Sequence, residues 1–224
     1  MKFFKKSWWK ILAIILVFYT LIGGLLMDVP RLAILNETIR NLYFHVTMWF
    51  SMMILLLTSM ILSIKYLKSR NPLHDIGACE FANIGIHFGI LGLATGSIWA
   101  KFTWGAWWVN DPQLNSAAIG MLIYLAYAVL RSSIEDEQKK GTISAVYNIF
   151  AFAALVPLLF VLPRMAENSL HPGKGGNPGF NAYDLDSKLR IVFYPAIIGW
   201  TLLGIWIASL RIRTRKLINK IEEV

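Results

Sequence analysis

A single cysteine, Cys79, stands in this chain of 224 residues. That excludes an internal disulfide, a paired-thiol redox motif and a covalent C-x-x-C-H attachment site. Charge is also scarce, at 16% of residues against 56% hydrophobic. A soluble domain cannot hide so much apolar surface, so the chain is an all-α integral membrane protein. No Walker or dinucleotide glycine loop is present, so neither ATP nor NAD chemistry is encoded. Acidic residues are outnumbered, and the net charge is +9. The excess base lies between and after apolar runs, where it sets topology and meets anionic lipid; no nucleic-acid partner is implied.

Long apolar runs are what the chain has in abundance. Met1–Lys10 carries Lys2, Lys5, Lys6 and Lys10 and leads into an apolar stretch to Met27. It resembles a signal peptide, but it is long and lacks an A-x-A-like site before Asp28, so a retained first span is expected over about 8–27. Further spans are expected over about 43–64, 78–98, 114–130, 143–162 and 191–210, each near the ~20 residues that cross a hydrocarbon core. The expectation is one six-helix domain over residues 1–224, the fourth helix being the shortest. With the N-terminus inside, fifteen of the 22 lysines and arginines fall on inner segments and seven on outer ones. That bias predicts both termini on the cytoplasmic side.

Between spans three and four runs WAKFTWGAWWVNDPQ, residues 99–113, with four of the nine tryptophans. Lys101, Asn110, Asp111 and Pro112 interrupt it, so it lies at the outer membrane surface. Indoles collect at that level as anchors. Trp99, Trp104, Trp107 and Trp108, spaced by Gly105 and Ala106, also suit a platform for a flat aromatic ligand. Asp111-Pro112 is a helix start signal, and capping of the next span and contact with a partner are equal readings of this acid.

Four histidines remain. His74 lies in the inner loop KYLKSRNPLHD and is expected to be solvated. His87 sits mid-span within GIHFG, and Gly85, Gly89, Gly92 and Gly96 form two G-x-x-x-G spacings that predict close helix packing. An interhelical hydrogen bond is the favoured role for His87, although an intramembrane ionisable group is a functional candidate by default. His45 opens span two, and His171 lies in the last outer loop, within ENSLHPGKGG. Topology brings both to the face that carries the tryptophans. Two neutral imidazoles beside flat indoles suit an iron porphyrin, with Arg31, Arg40, Arg164, Lys174 and Arg190 as candidates for its carboxylates. The bland alternative leaves one histidine exposed and the other interfacial.

WGAWWVNDPQ after a third span, flanked by these histidines, resembles the WWD tract of the haem-handling membrane proteins. The six-span layout is similar to the cytochrome c maturation protein C family, CcmC, over nearly the whole chain. The resemblance implies a haem-binding component of c-type cytochrome biogenesis in the bacterial inner (cytoplasmic) membrane, with its site on the periplasmic side. It implies a non-covalent b-type haem with His45 and His171 as axial ligands and Trp104, Trp107, Trp108 and Asp111 as the tract. It further implies a haem chaperone, CcmE, that bonds the haem covalently, and companions CcmA, CcmB and the small CcmD. Two positions depart from the family tract. Asn110 stands where a further tryptophan is usual, and Gln113 where a basic residue is common. The glycines and prolines at Pro172, Gly173, Gly175, Gly176, Pro178 and Gly179 predict a loop that a ligand orders.

Binding and hand-over follow from this reading, not catalysis by a protein nucleophile, since no serine or cysteine nucleophile with an adjacent base is evident. Two other classes stay open. A b-type electron-transfer anchor would pair His45 with His87. A small-molecule permease would need paired charges inside the spans, which carry acids and bases only near their ends.

Overall fold

The structure, a computed structural model, describes residues 7–31, 35–166, 169–171 and 185–222. Lys174, the glycine–proline run at 172–179 and Lys2, Lys5 and Lys6 lie outside them. Among the described residues every regular element is a helix. α1 spans Trp8–Leu26, a 3-10 helix Asn36–Tyr43, α2 Val46–Ser69, α3 Pro72–Trp104 and α4 Pro112–Ser133. α5 spans Glu137–Phe160, the short α6 Leu162–Met165 and α7 Ser187–Glu222. Six of these segments are long and apolar enough to cross a membrane, as the six apolar runs predict.

Boundaries differ from the sequence expectation for local reasons. α4 is not the shortest span; it has 22 residues and α1 has 19. Asp111 accepts from the backbone N–H groups of Gln113 and Leu114 and Pro112 occupies the first turn, so the helix starts early. Its far end is held by Arg131, whose guanidinium grips Asp75 of α3 with two bonds of 2.8 and 2.6 Å. α3 runs on to Trp104, so the first half of the tryptophan stretch is helical. Gly105, at φ +81°, ends it in a conformation that suits a residue without a Cβ.

α2 packs on α3 around Met48, Met52, Leu55, Leu56, Phe88, Met121, Tyr124 and Leu155. The close approach predicted from the glycine spacings is real. A Cβ at Gly85 would lie 2.6 Å from Leu56, and one at Gly89 would lie 2.2 Å from Met121. α1 packs on α7, where Gly199 meets Leu16 and Val17. The other face of α1, with Ile11, Ile15, Phe18, Ile22 and Leu25, is exposed, as suits a lipid-facing surface.

Alternation of the helices gives the bundle two unlike ends. One gathers the α2–α3 and α4–α5 connections with Asp75, Glu80, Arg131, Arg211 and Arg215. The other gathers the 3-10 helix, the tryptophan tract, α6 and the segment 169–171.

Candidate ligand cavity between two histidines

The 3-10 helix sets the geometry of the tryptophan end. Arg40 donates to Glu37 and to the carbonyls of Gly24 and Met27, tying the segment to the end of α1. Asn41 donates to the carbonyl of Thr95, and Trp99 Nε1 donates to Thr38 Oγ1 at 3.1 Å, tying it to α3. His45 follows immediately and is directed onto α3. A Cβ at Gly96 would lie 2.5 Å from His45 Cε1, so only glycine admits the ring there. His45 Nδ1 lies 2.9 Å from the Gly92 carbonyl oxygen and 3.3 Å from Thr95 Oγ1. A carbonyl accepts only, so Nδ1 carries the proton, and the neutral ring keeps its lone pair on Nε2.

His171 is arranged by the same logic with a different acceptor. Asp111 is 1% exposed, yet both carboxylate oxygens are engaged. Oδ1 accepts from Gln113 N and Leu114 N, and Oδ2 accepts from Ser169 Oγ at 2.9 Å and Leu170 N at 2.8 Å. His171 Nδ1 sits 3.2 Å from Oδ1. Burial alone would raise the Asp111 carboxyl, but the bonds from Leu170 and Ser169 and the nearby His171 hold it below its usual range. Burial lowers His171 despite the opposing pull of Asp111. The pair is therefore carboxylate and neutral imidazole at pH 7. Nδ1–H donates to the carboxylate, and Nε2 keeps its lone pair.

His45 and His171 line one cavity of about 370 Å³, a volume typical of small-ligand sites, roughly 300–1,000 Å³. α2 and α3 form one wall, and α4, α5 and α6 the other. The lining includes Trp49, Trp99, Trp104 and Trp108 with apolar side chains such as Leu42, Met53, Leu93, Leu114 and Leu159. Trp104 meets the His171 ring edge-on at 5.2 Å between centroids. Trp99 and Trp49 do the same to His45 at 5.8 and 6.4 Å. Such contacts fix ring orientation without occupying Nε2.

The other sequence candidates are placed as follows. Trp107 is 58% exposed and does not line the cavity; its carbonyl accepts from Ser97 Oγ and closes the turn. Asp111 lies behind His171, where it caps α4 and anchors the 169–171 segment. Asn110 accepts from the Asn115 side chain, and Gln113 lines the cavity. Of the five basic candidates, Arg164 lines the cavity, with one guanidinium nitrogen donating to the Phe160 carbonyl; Arg40 and Arg190 donate to backbone carbonyls away from it. Among the described residues His87 makes no interhelical bond. It is exposed and bonds the Asn83 carbonyl of its own helix at 2.6 Å, because its side of α3 faces out of the bundle. Among the described residues it is not part of the lining that holds His45, which does not favour the His45–His87 pairing of an electron-transfer anchor. His74 is not merely solvated, since its Nδ1 lies 3.0 Å from Ser69 Oγ.

Trp49 and the Gly92 carbonyl were not among the sequence candidates. Trp49 had a signal, since it stands one helical turn after His45 and on the same face. A backbone acceptor on another helix leaves no signal.

Comparison with known proteins agrees with this architecture. The family model for heme exporter protein C, CcmC, matches residues 2–223. Heme exporter protein C of Bradyrhizobium diazoefficiens is 31% identical over 170 residues, 75% of this chain and 63% of that protein, so the match spans just under two thirds of that relative. The Rhodobacter capsulatus protein of the same name is 27% identical over 221 residues, 92% of this chain and 84% of its own length. That of Escherichia coli K12 is 25% identical over 139 residues, 62% of this chain and 54% of its own. With the matching model running almost from end to end over a bundle of six membrane-length helices, the chain belongs to the heme exporter protein C family.

Proposed function

We propose that this chain binds haem at the outer, periplasmic face of a bacterial inner membrane and hands it on during c-type cytochrome biogenesis. Family membership supports haem handling and a transfer component in place of an enzyme with its own nucleophile. One observation supports the site above all others. Two histidines far apart in sequence line one cavity, each with Nδ1 engaged by an acceptor and Nε2 without a partner among the described residues.

Haem is cargo in this reading, and the residues present suit it. His45 and His171 would hold the iron through Nε2, Trp104, Trp108, Trp49 and Trp99 would pack on the macrocycle, and Arg164 would meet a carboxylate. Trp107, exposed beside the cavity, would face an approaching partner. The porphyrin supplies the reactive edge to which a chaperone of the CcmE kind becomes covalently joined. What the chain contributes is position. Asp111 keeps His171 in the ligating tautomer, Gly96 makes room for His45, and the indoles exclude water. CcmA, CcmB and CcmD are the expected companions, and both chain termini are expected on the cytoplasmic side, in keeping with the lysine and arginine bias.

An absorption spectrum of the protein purified in detergent from a haem-replete host tests the reading. A low-spin haem spectrum is expected for the native chain and for His87→Ala, and its loss or conversion for His45→Ala and His171→Ala. Native protein without haem even when its companions are co-expressed would sink the proposal.

A further inference from the structure

The last three turns of α7 do something the cavity does not explain. α7 has 36 residues, whereas ~20 residues cross a hydrocarbon core. At ~1.5 Å per residue, the remainder carries the helix on the order of 20 Å past the hydrocarbon. Along it, Ile207, Leu210, Thr214, Leu217 and Ile221 recur at alternating steps of three and four, the a/d spacing of a helix-packing seam. Seams that pack within their own bundle become buried. This one stays open, with exposures of 37% at Ile207, 47% at Leu210, 63% at Leu217 and 73% at Ile221. Lipid tails can cover Ile207 and Leu210, whereas Leu217 and Ile221 fall within the ~20 Å of helix that a ~20-residue span leaves over.

Two features exclude a helix that folds down onto the membrane. No glycine or proline follows Gly204 in α7, so the helix has no hinge. Glu80, buried in α3, holds Arg211 at 2.5 Å and Arg215 at 3.2 Å, one turn apart, so the start of the extension is clamped to the bundle. A helix that lies in the headgroup plane cannot satisfy both. Charge then chooses the occupant. From Arg211 to Lys220 the helix holds five basic residues and no acid. Arg213, Lys216 and Lys220 have no acidic partner among the described residues. Arg213 and Lys220 directly precede a-type positions, where they flank the seam and meet the facing helix. A second copy would bring base to base. An acidic flank would neutralise it.

We propose that the seam Ile207–Ile221 is the docking strip for a single α-helix of another polypeptide, one with an apolar seam and acidic flanking positions, that leaves the membrane at the same end. The proposal stands on α7 and its anchor on Glu80 and is independent of the ligand in the cavity.

The test uses the full-length chain in nanodiscs of zwitterionic lipid. The probes are a synthetic helix of about three heptads with leucine in the seam and glutamate on the flanks, and its twin with lysine flanks. The glutamate helix is expected to bind at least about tenfold more tightly than its twin. Arg213→Glu with Lys220→Glu should reverse that preference, a gain of binding that misfolding cannot imitate, and Leu217→Asp should abolish both. No binding, or binding indifferent to Leu217→Asp and to charge reversal, would overturn the proposal. A spin label at Ile221→Cys decides the rival occupants. Shielding from an aqueous quencher on adding anionic lipid would assign the strip to the membrane. Short label-to-label distances would assign it to a second copy. Either result overturns the proposal.

Discussion

The two ends of the bundle handle polar groups in opposite ways. At the basic end, acids and bases cancel inside the fold. Arg131 takes both oxygens of Asp75, and Arg211 and Arg215 share the carboxylate of Glu80, which is 1% exposed. At the tryptophan end, polar groups are half used. Each imidazole spends one nitrogen on an acceptor and keeps the other, and the surrounding surface is apolar and concave. Pairing of the buried acids closes one end. Partial pairing leaves the other able to receive a ligand.

The comparison predicts that damage to the basic end costs stability and spares the cavity. Arg211→Ala with Arg215→Ala leaves a buried carboxylate without a counter-charge, a loss of about 3–5 kcal/mol. Thermal unfolding should fall by many degrees, while the haem absorption per folded molecule stays native. A changed spectrum would show that the ends are coupled.

Damage to the other end should do the reverse. Asp111→Asn keeps a capping side chain but no longer fixes His171 as the Nδ1–H tautomer. Loss of such a supporting carboxylate typically weakens the ligand site by about 10–100-fold. A haem titration on the folded protein should show this; equal affinity would mean that Asp111 only caps α4. Gly96→Ala presses a methyl onto His45 Cε1. It should cost about 1–3 kcal/mol of packing and perturb the His45 ligand signature in the spectrum, where His171→Ala supplies the contrast.

The smallest effect concerns acid. The unfolded chain takes up a proton on a histidine at about pH 6.5, but His171 in place is held lower. Its docking therefore weakens as pH falls from about that value. Asp111 is also held low, so its contribution survives further into acid and is lost as pH falls through its folded value. Hydrogen exchange at the Leu170 amide, which donates to Asp111, should quicken on acidification relative to amides of the α2–α3 core. An exchange ratio flat with pH would refute this.

Much of the architecture was legible because the bilayer imposes it. Six apolar runs of sufficient length become six helices, and the G-x-x-x-G spacings of α3 become close contacts with α2 and α4. The tract and the shared face of His45 and His171 followed from counting spans. The role of His87 did not follow, because an outward turn of α3 is a rotation that hydrophobic pattern alone does not fix in a helix apolar on most sides. Nor did Glu80 announce itself, since its arginines lie at the far end of the chain.

By itself the sequence determined that the chain has six helices of membrane-spanning length, which residues gather at each end of the bundle, and that tryptophan, histidine and acid share one of them. Those properties depend on local hydropathy and on parity of crossing. Only the tertiary structure decided that His45 rests on Gly96 with its Nδ1 on the Gly92 carbonyl, that Asp111 grips Ser169, Leu170 and His171, and that one cavity lies between. These relations join atoms distant in sequence, and they are set by how the helices rotate and pack.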